Sequence, residues 1–272
     1  GLLPAMCAVA QVEDYALPDG KVVKIDRSVF PDLQYDMTPK AKPADESKLG
    51  FGKVFSDHMF IMDYSADQGW HDARIVPFDY IPIHPAASVL HYGTEIFEGL
   101  KAYTTVDGKI VCFRPDLNAE RLIQSTERLE MPTLSKERFL EAVEKTVAAN
   151  KDYVPPYGTG ATLYIRPYMF ASSAVIGVKP ADEYIFRIFT TPVGPYFKGG
   201  AKPITIRVSD FDRAAPHGTG NIKAGLNYAM SLHAIVDAHN KGFDENMYLD
   251  PATRTKVEET GGANFLFVTK DN

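Results

Sequence analysis

Cysteine is scarce in this chain: Cys7 and Cys112 are the only two in 272 residues. Neither belongs to a spaced ligand set, and two cannot build a disulfide framework, which points to a reducing compartment, the cytosol. Cys112 lies between Val111 and Phe113 in a strand-like run, the setting of a small buried hydrophobe. Long apolar runs are missing too. The apolar start GLLPAMCAVA is too short to span a bilayer, contains Pro4 and lacks the basic flank of a signal peptide. There is no basic stripe, and the net charge of −6 argues against a nucleic-acid partner. The seven histidines show no metal-ligand spacing, so His58 and His91 read as structural residues and no metal site is expected. Internal repeats and low-complexity tracts are likewise absent.

What is present is an ordinary globular composition, 45% hydrophobic and 24% charged, long enough for one large or two medium domains. Residues 1–48 show no sustained period and read as an extended arm, with regular structure beginning near Leu49. From Gly52 to Phe113 the signals are mainly strands, and Asp107-Gly108 marks a tight hairpin turn. A helix capped by Asn118 and stopped by Pro132 should bury Leu122, Ile123, Thr126 and Leu129, and a second should run from about Ser135 to Asn150. Strands are expected at 161–166, 184–190, 204–208, 245–249 and 263–269, and a third helix from about Asn227 to Lys241, ended by Gly242. The stretch PVGPYFKGGAKP reads as a linker. The expected division is an arm at 1–48, a small α/β domain at 49–194, a linker at 195–203 and a larger domain at 204–272 that the chain end leaves incomplete.

Three segments could carry chemistry. HGTGNIKAGLNYAMSL sets Lys223 among small residues between a glycine-rich turn and a helix; an isolated lysine there is usually a surface residue, and the Gly-Lys-Ser/Thr ending of a nucleotide loop is missing. Small neighbours would nonetheless admit a flat cofactor, and partial burial makes lysine a nucleophile. In KVEETGGANFLFV, Glu258 and Glu259 are either a solvated turn or place one carboxylate inward against a cation. In FRPDLNAERL, Arg121 is either a helix-surface arginine or a phosphate anchor.

Together these segments resemble the branched-chain aminotransferase family of the class IV, fold type IV pyridoxal-phosphate enzymes. The resemblance runs in order from about Leu49 to the chain end, through LGFGKVFSDHM, HPAASVLHYGTEIFEGLKAY, FRPDLNAERL, LYIRPYMF, TPVGPYF, GTGNIKAGLNYAMSL and VEETGGANF. It implies a two-domain α/β (α+β) fold and pyridoxal 5′-phosphate as cofactor. Lys223 matches the family's Schiff-base lysine, Tyr228 the tyrosine bonded to the cofactor's phenolic oxygen, Glu259 the partner of the pyridine nitrogen, and Arg121 the phosphate arginine. Gly262 stands where many members carry a hydroxyl, leaving its backbone N–H as the phosphate donor. Tyr92, Phe97, Tyr164 and Tyr196 match the aromatic wall of the substrate pocket, and Arg166 the arginine that receives the distal carboxylate of glutamate or 2-oxoglutarate. The implied reaction transfers an amino group between leucine, isoleucine or valine and 2-oxoglutarate, in a cytoplasmic homodimer with no nucleic-acid or membrane partner. Family members continue beyond the end of this chain, so a C-terminal portion is expected to be missing. A D-amino-acid aminotransferase or aminodeoxychorismate lyase of the same class is the alternative within the family, and an inert truncated homologue the alternative outside enzymes.

Overall fold

The computed structural model describes residues 12–16, 20, 22–26, 28–30, 33–38, 49–194 and 202–271. The chain divides into two compact units, Gly1–Lys198 and Gly199–Asn272.

The first unit is built on a ten-stranded sheet. In chain order its strands are β1 (Val12–Ala16), β2 (Val22–Asp26), β3 (Leu33–Tyr35), β4 (His58–Ser65), β5 (Gly69–Pro77), β6 (Glu95–Phe97), β7 (Leu100–Thr104), β8 (Ile110–Cys112), β9 (Thr162–Ala171) and β10 (Glu183–Val193). They lie in the order β1-β2-β3-β5-β4-β10-β9-β7-β8, and β6 also pairs with β9. Its helices are α1 (Ser88–Tyr92), α2 (Pro115–Arg128) and α3 (Lys136–Ala149). One sheet face, carrying Phe60, Ile75, Phe186 and Ile188, is buried to 0% exposure with Phe139 and Leu122 of the helices. Alternating strand geometry therefore sends the neighbouring positions, including Tyr164 and Arg166, to the opposite face.

The expected Asp-Gly hairpin joins β7 to β8: Gly108 has φ 78°, and Thr105 N–H donates to the Lys109 carbonyl at 2.8 Å. The second expected helix also forms, its Ser135 hydroxyl accepting from the Arg138 N–H at 3.3 Å. Three expectations need correcting. The arm is not irregular, since β1, β2 and β3 form within it and β3 joins β5 in parallel. Runs of three to five residues are too short to show a period, and the sheet edge supplies their order. The first helix starts earlier than expected, with Arg114 at the cap and Pro115 at the first position, where proline's fixed φ suits a helix start. Asn118 thus lies inside the helix rather than capping it. Short helix α1 also interrupts the region read as strands.

The second unit holds β11 (Ile206–Val208), α4 (Gly225–Asn240), β12 (Glu245–Leu249) and β13 (Val257–Thr260). β11 and β12 pair in parallel across the α4 crossover, and β13 returns antiparallel to β12. Gly242, φ 84°, follows α4 as expected of a glycine past a helix end. The strand expected at 263–269 does not form; β13 lies upstream of it. Leu266, Phe267 and Val268 are 94, 67 and 89% exposed, and no described strand lies beside them to take up their backbone hydrogen bonds. Most of the expected linker, 195–203, lies outside the described residues, as does Tyr196.

Candidate active site

Lys223 leaves a turn that only glycine can make. A Cβ at Gly220 would sit 2.8 Å from the Ala214 methyl, and one at Gly218 would sit 2.9 Å from the Ala215 carbonyl oxygen. Asn227, 3% exposed in the first turn of α4, clamps that turn. Its amide donates to the Thr219 and Ile222 carbonyls at 2.7 and 2.9 Å, and its oxygen accepts from the Thr219 hydroxyl at 2.9 Å. Held between clamp and helix, Lys223 Nζ donates to Tyr228 Oη at 2.7 Å and lies 5.0 Å from the centre of that ring.

Arg213 joins this pair to an acid. It is 5% exposed, its Nε lies 2.9 Å from Glu259 Oε1, and its Cζ sits 5.0 Å over the Tyr228 ring. Its Nη1 also donates to the Asn227 carbonyl. The Arg213 Nε–H is not aligned on the carboxylate as a hydrogen bond requires, so the attraction is coulombic. Of the two carboxylates, Glu259 faces the cation. Glu258 is exposed, and partial desolvation and the Glu259 charge raise its pKa. Gly262 is exposed, whereas steric demand falls on Gly261: a Cβ there would meet Asn246 Oδ1 at 2.6 Å and Glu245 Oε1 at 2.7 Å. The second unit therefore brings Lys223, Tyr228, Arg213 and Glu259 into one contiguous set.

In the first unit, Arg166 is flanked by aromatic rings. Its Cζ lies 4.5 Å over Phe97 and 5.3 Å over Tyr164, and its Nη2 donates to Tyr164 Oη at 2.8 Å. Among the described residues, its Nε is buried without a hydrogen-bond partner. Phe51 adds an edge contact to Tyr164 at 5.1 Å. Tyr92 ends α1 at 39% exposure, with the His91 ring 6.3 Å away, and contributes no hydrogen bond or ring contact to the Arg166 group.

Arg121 lies one turn further into α2 than the sequence reading put it. It makes a two-pronged pair with Glu98, Nε to Oε1 at 2.6 Å and Nη2 to Oε2 at 2.7 Å. Glu98 is 0% exposed and Arg121 side-chain exposure is 45%. Asn118 Nδ2 donates to the same carboxylate at 2.8 Å. The buried acid thus holds one edge of a guanidinium that still reaches solvent.

Sequence reasoning missed Asn227, Arg213 and Glu98. Only Glu98 left a trace: it alternates with Ile96, Leu100 and Ala102, so a strand reading puts a charge on the buried face, where a partner is required.

The amino-transferase class IV family model matches residues 95–272. The branched-chain-amino-acid aminotransferase of Mycolicibacterium smegmatis is 44% identical over 244 residues, 87% of this chain and 66% of that protein. Its Haemophilus influenzae counterpart is 46% identical over 236 residues, 85% of this chain and 68% of that one. A crystal structure of the Escherichia coli branched-chain amino acid aminotransferase superposes with a TM-score of 0.60 at 26% identity, over 76% of this chain and 63% of that one. The chain thus spans about two thirds of the length of the curated relatives it matches.

Proposed function

We propose, from the premise that this chain belongs to the class IV aminotransferases and to their branched-chain group, that it transfers amino groups between leucine, isoleucine or valine and 2-oxoglutarate with pyridoxal phosphate. The observation that carries the reading is the contiguous set in the second unit: an amine bonded to a phenol, and that phenol under a cation paired with a carboxylate.

The residues fit the cofactor. Lys223, Tyr228 and Glu259 supply the amine, phenol and carboxylate that an aldehyde, a phenolate and a pyridinium require, and the glycines before Lys223 allow the tight turn that presents its amine. Arg121, whose guanidinium still reaches solvent, would hold the phosphate, and the Gly262 N–H would add a donor. When bound, pyridoxal phosphate supplies a ring that withdraws electrons from the amino acid's α-carbon. Lys223 Nζ would be the base that takes the proton from that carbon and carries it away, with Tyr228 Oη orienting the nitrogen. Glu259 would keep negative charge at its end of the ring. Phe97 and Tyr164 would line the pocket for an aliphatic side chain, to which the family resemblance adds Tyr92 and Tyr196. Arg166 would receive the carboxylate of glutamate in the same place, and its Nε, without a hydrogen-bond partner among the described residues, supports that role. The reading includes a cytoplasmic homodimer, as the family resemblance implies.

The test has two arms. Adding pyridoxal phosphate should produce a visible absorbance band, and borohydride should fix the cofactor's mass on the Lys223 peptide, with Lys223→Ala losing both. A panel of L-leucine, D-alanine and aminodeoxychorismate should show turnover of the first. Activity confined to the other two would move the protein to a neighbouring class IV reaction, and no band at all would make it an inert relative.

A further inference from the structure

The segment Phe97-Glu98-Gly99 runs beside β9 without a break in register. Phe97 faces Tyr168, and Leu100 faces Ile165. Counting between those pairs sets Glu98 opposite Pro167 and Gly99 opposite Arg166, and the Glu98 N–H donates to the Pro167 carbonyl at 2.8 Å. Strand alternation then assigns the side chains. Ile96, Glu98 and Leu100 point to the buried face, while Phe97, Gly99 and Lys101 share the face of Tyr164 and Arg166.

On that face Gly99 is a gap between two side chains. A Cβ built on it would fall inside the Tyr164 hydroxyl, 3.0 Å from Cζ and 3.4 Å from Cε2. Tyr164 therefore leans diagonally into the space that any other residue at 99 would fill. Backbone conformation is not the reason for glycine here, because Gly99 is not among the glycines with positive φ. The demand is steric, and a rigid tyrosine ring can escape it only by swinging out of the notch. Leaning there, Tyr164 Oη accepts from Arg166 Nη2 at 2.8 Å, while Phe97 supports the guanidinium from beneath.

We propose that Gly99 is a specificity-determining position: it provides the notch that seats Tyr164, and through Tyr164 it aims Arg166 at acidic side chains. The inference rests on the aminotransferase reading and deepens it. Gly99 acts through Tyr164, as a positioning residue. A methyl group at 99 expels the Tyr164 hydroxyl and releases Arg166. Recognition of a dicarboxylate weakens while the aromatic pocket for an aliphatic chain is kept.

The experiment measures binding of glutarate and of 4-methylpentanoate to the 272-residue chain supplied with pyridoxal phosphate, by calorimetry. The variants are Gly99→Ala, Tyr164→Phe and the two combined. Loss of one charge-assisted hydrogen bond predicts about a tenfold fall in glutarate affinity in each single variant. The double variant should fall no further, and in Gly99→Ala the 4-methylpentanoate affinity should change less than threefold. Additive losses, or an equal loss for both acids in Gly99→Ala, would overturn the inference. A second measurement needs no cofactor: melting of the same four chains, in which Gly99→Ala should lower the midpoint clearly less when the Tyr164 hydroxyl is already gone. If the unsubstituted chain holds neither acid, the aminotransferase reading falls, and the melting cycle alone decides whether Gly99 acts through Tyr164.

Discussion

Asn227 satisfies both hydrogen-bonding ends of its amide inside the fold and is 3% exposed. Asn227→Ala removes those bonds and leaves the Thr219 and Ile222 carbonyls to find others, a cost of about 1–3 kcal/mol. Urea unfolding should show that loss, and borohydride labelling at Lys223 should fall more steeply than stability, because the turn that presents the amine is what loosens. Cys112 gives a second test at this scale. Burial pushes its thiol up to about 11. An acid whose folded pKa lies above its unfolded value is neutral at ordinary pH, and folding is penalised only once pH rises past the unfolded pKa, about 8.5. Alkylation at pH 8 should therefore be slow in the native chain and fast in urea, and a fast native rate would contradict the burial of the sulfur. The clamp made by Asn227 does not follow from its neighbours in sequence, since asparagine in a helix is commonplace, whereas the setting of Cys112 was legible from Val111 and Phe113 on either side.

Within α3, Ser135 receives the Arg138 N–H, and Ser135→Ala should cost about 1 kcal/mol in denaturant unfolding. That helix was legible because an apolar helical period is a local signal, as was the Asp-Gly hairpin between β7 and β8, whereas the cap itself was not singled out. The start of α2 was misplaced for an equally local reason: two cap signals competed, and Pro115 prevailed while Asn118 turned its amide to Glu98. What could not be read was any pairing between elements. Glu98 on the β6–β7 segment and Arg121 on α2 are 23 residues apart, and only folding puts the helix against that face. Glu98→Gln keeps the shape but removes the charge from two strong hydrogen bonds. A loss of about 1.5–3 kcal/mol is expected, with cofactor retention on gel filtration reduced because Arg121 is no longer held. Full retention would show that Arg121 finds its position without the acid. The residues matched by family resemblance divide in the same way. Lys223, Tyr228 and Glu259 come together in one unit, whereas Tyr92 stands outside the Arg166 group and the supporting Arg213 was invisible to motif spacing.

Across the whole chain, acid should be more damaging than mild alkali. Hydrogen bonds from Lys109 and Thr105 hold Asp107 at about 2, and the Arg114 guanidinium holds Asp116 at about 2. Lys241 lowers Asp237, and the Thr205 backbone and hydroxyl lower Asp244. Each folded pKa lies below the unfolded value of about 3.9, so their stabilisation is complete above that pH and disappears as pH falls toward about 2. Melting temperature should be flat from neutrality to about pH 4.5 and drop below it, and a decline beginning above pH 6 would implicate other groups.

The parallel seat of β3 against β5 has a practical corollary for anyone shortening this chain. Tyr35 pairs with Ile75, and the Asp36 N–H donates to the Ile75 carbonyl at 2.8 Å. Starting the protein at Leu49, where motif similarity begins, would strip that cover and bare a row of unsatisfied amides beside a residue that is now 0% exposed. Such an edge invites strand-by-strand stacking of one molecule on the next. Light scattering of the trimmed version should reveal growing particles under conditions that leave the longer one monodisperse, and equal behaviour of the two would show that the edge needs no cover.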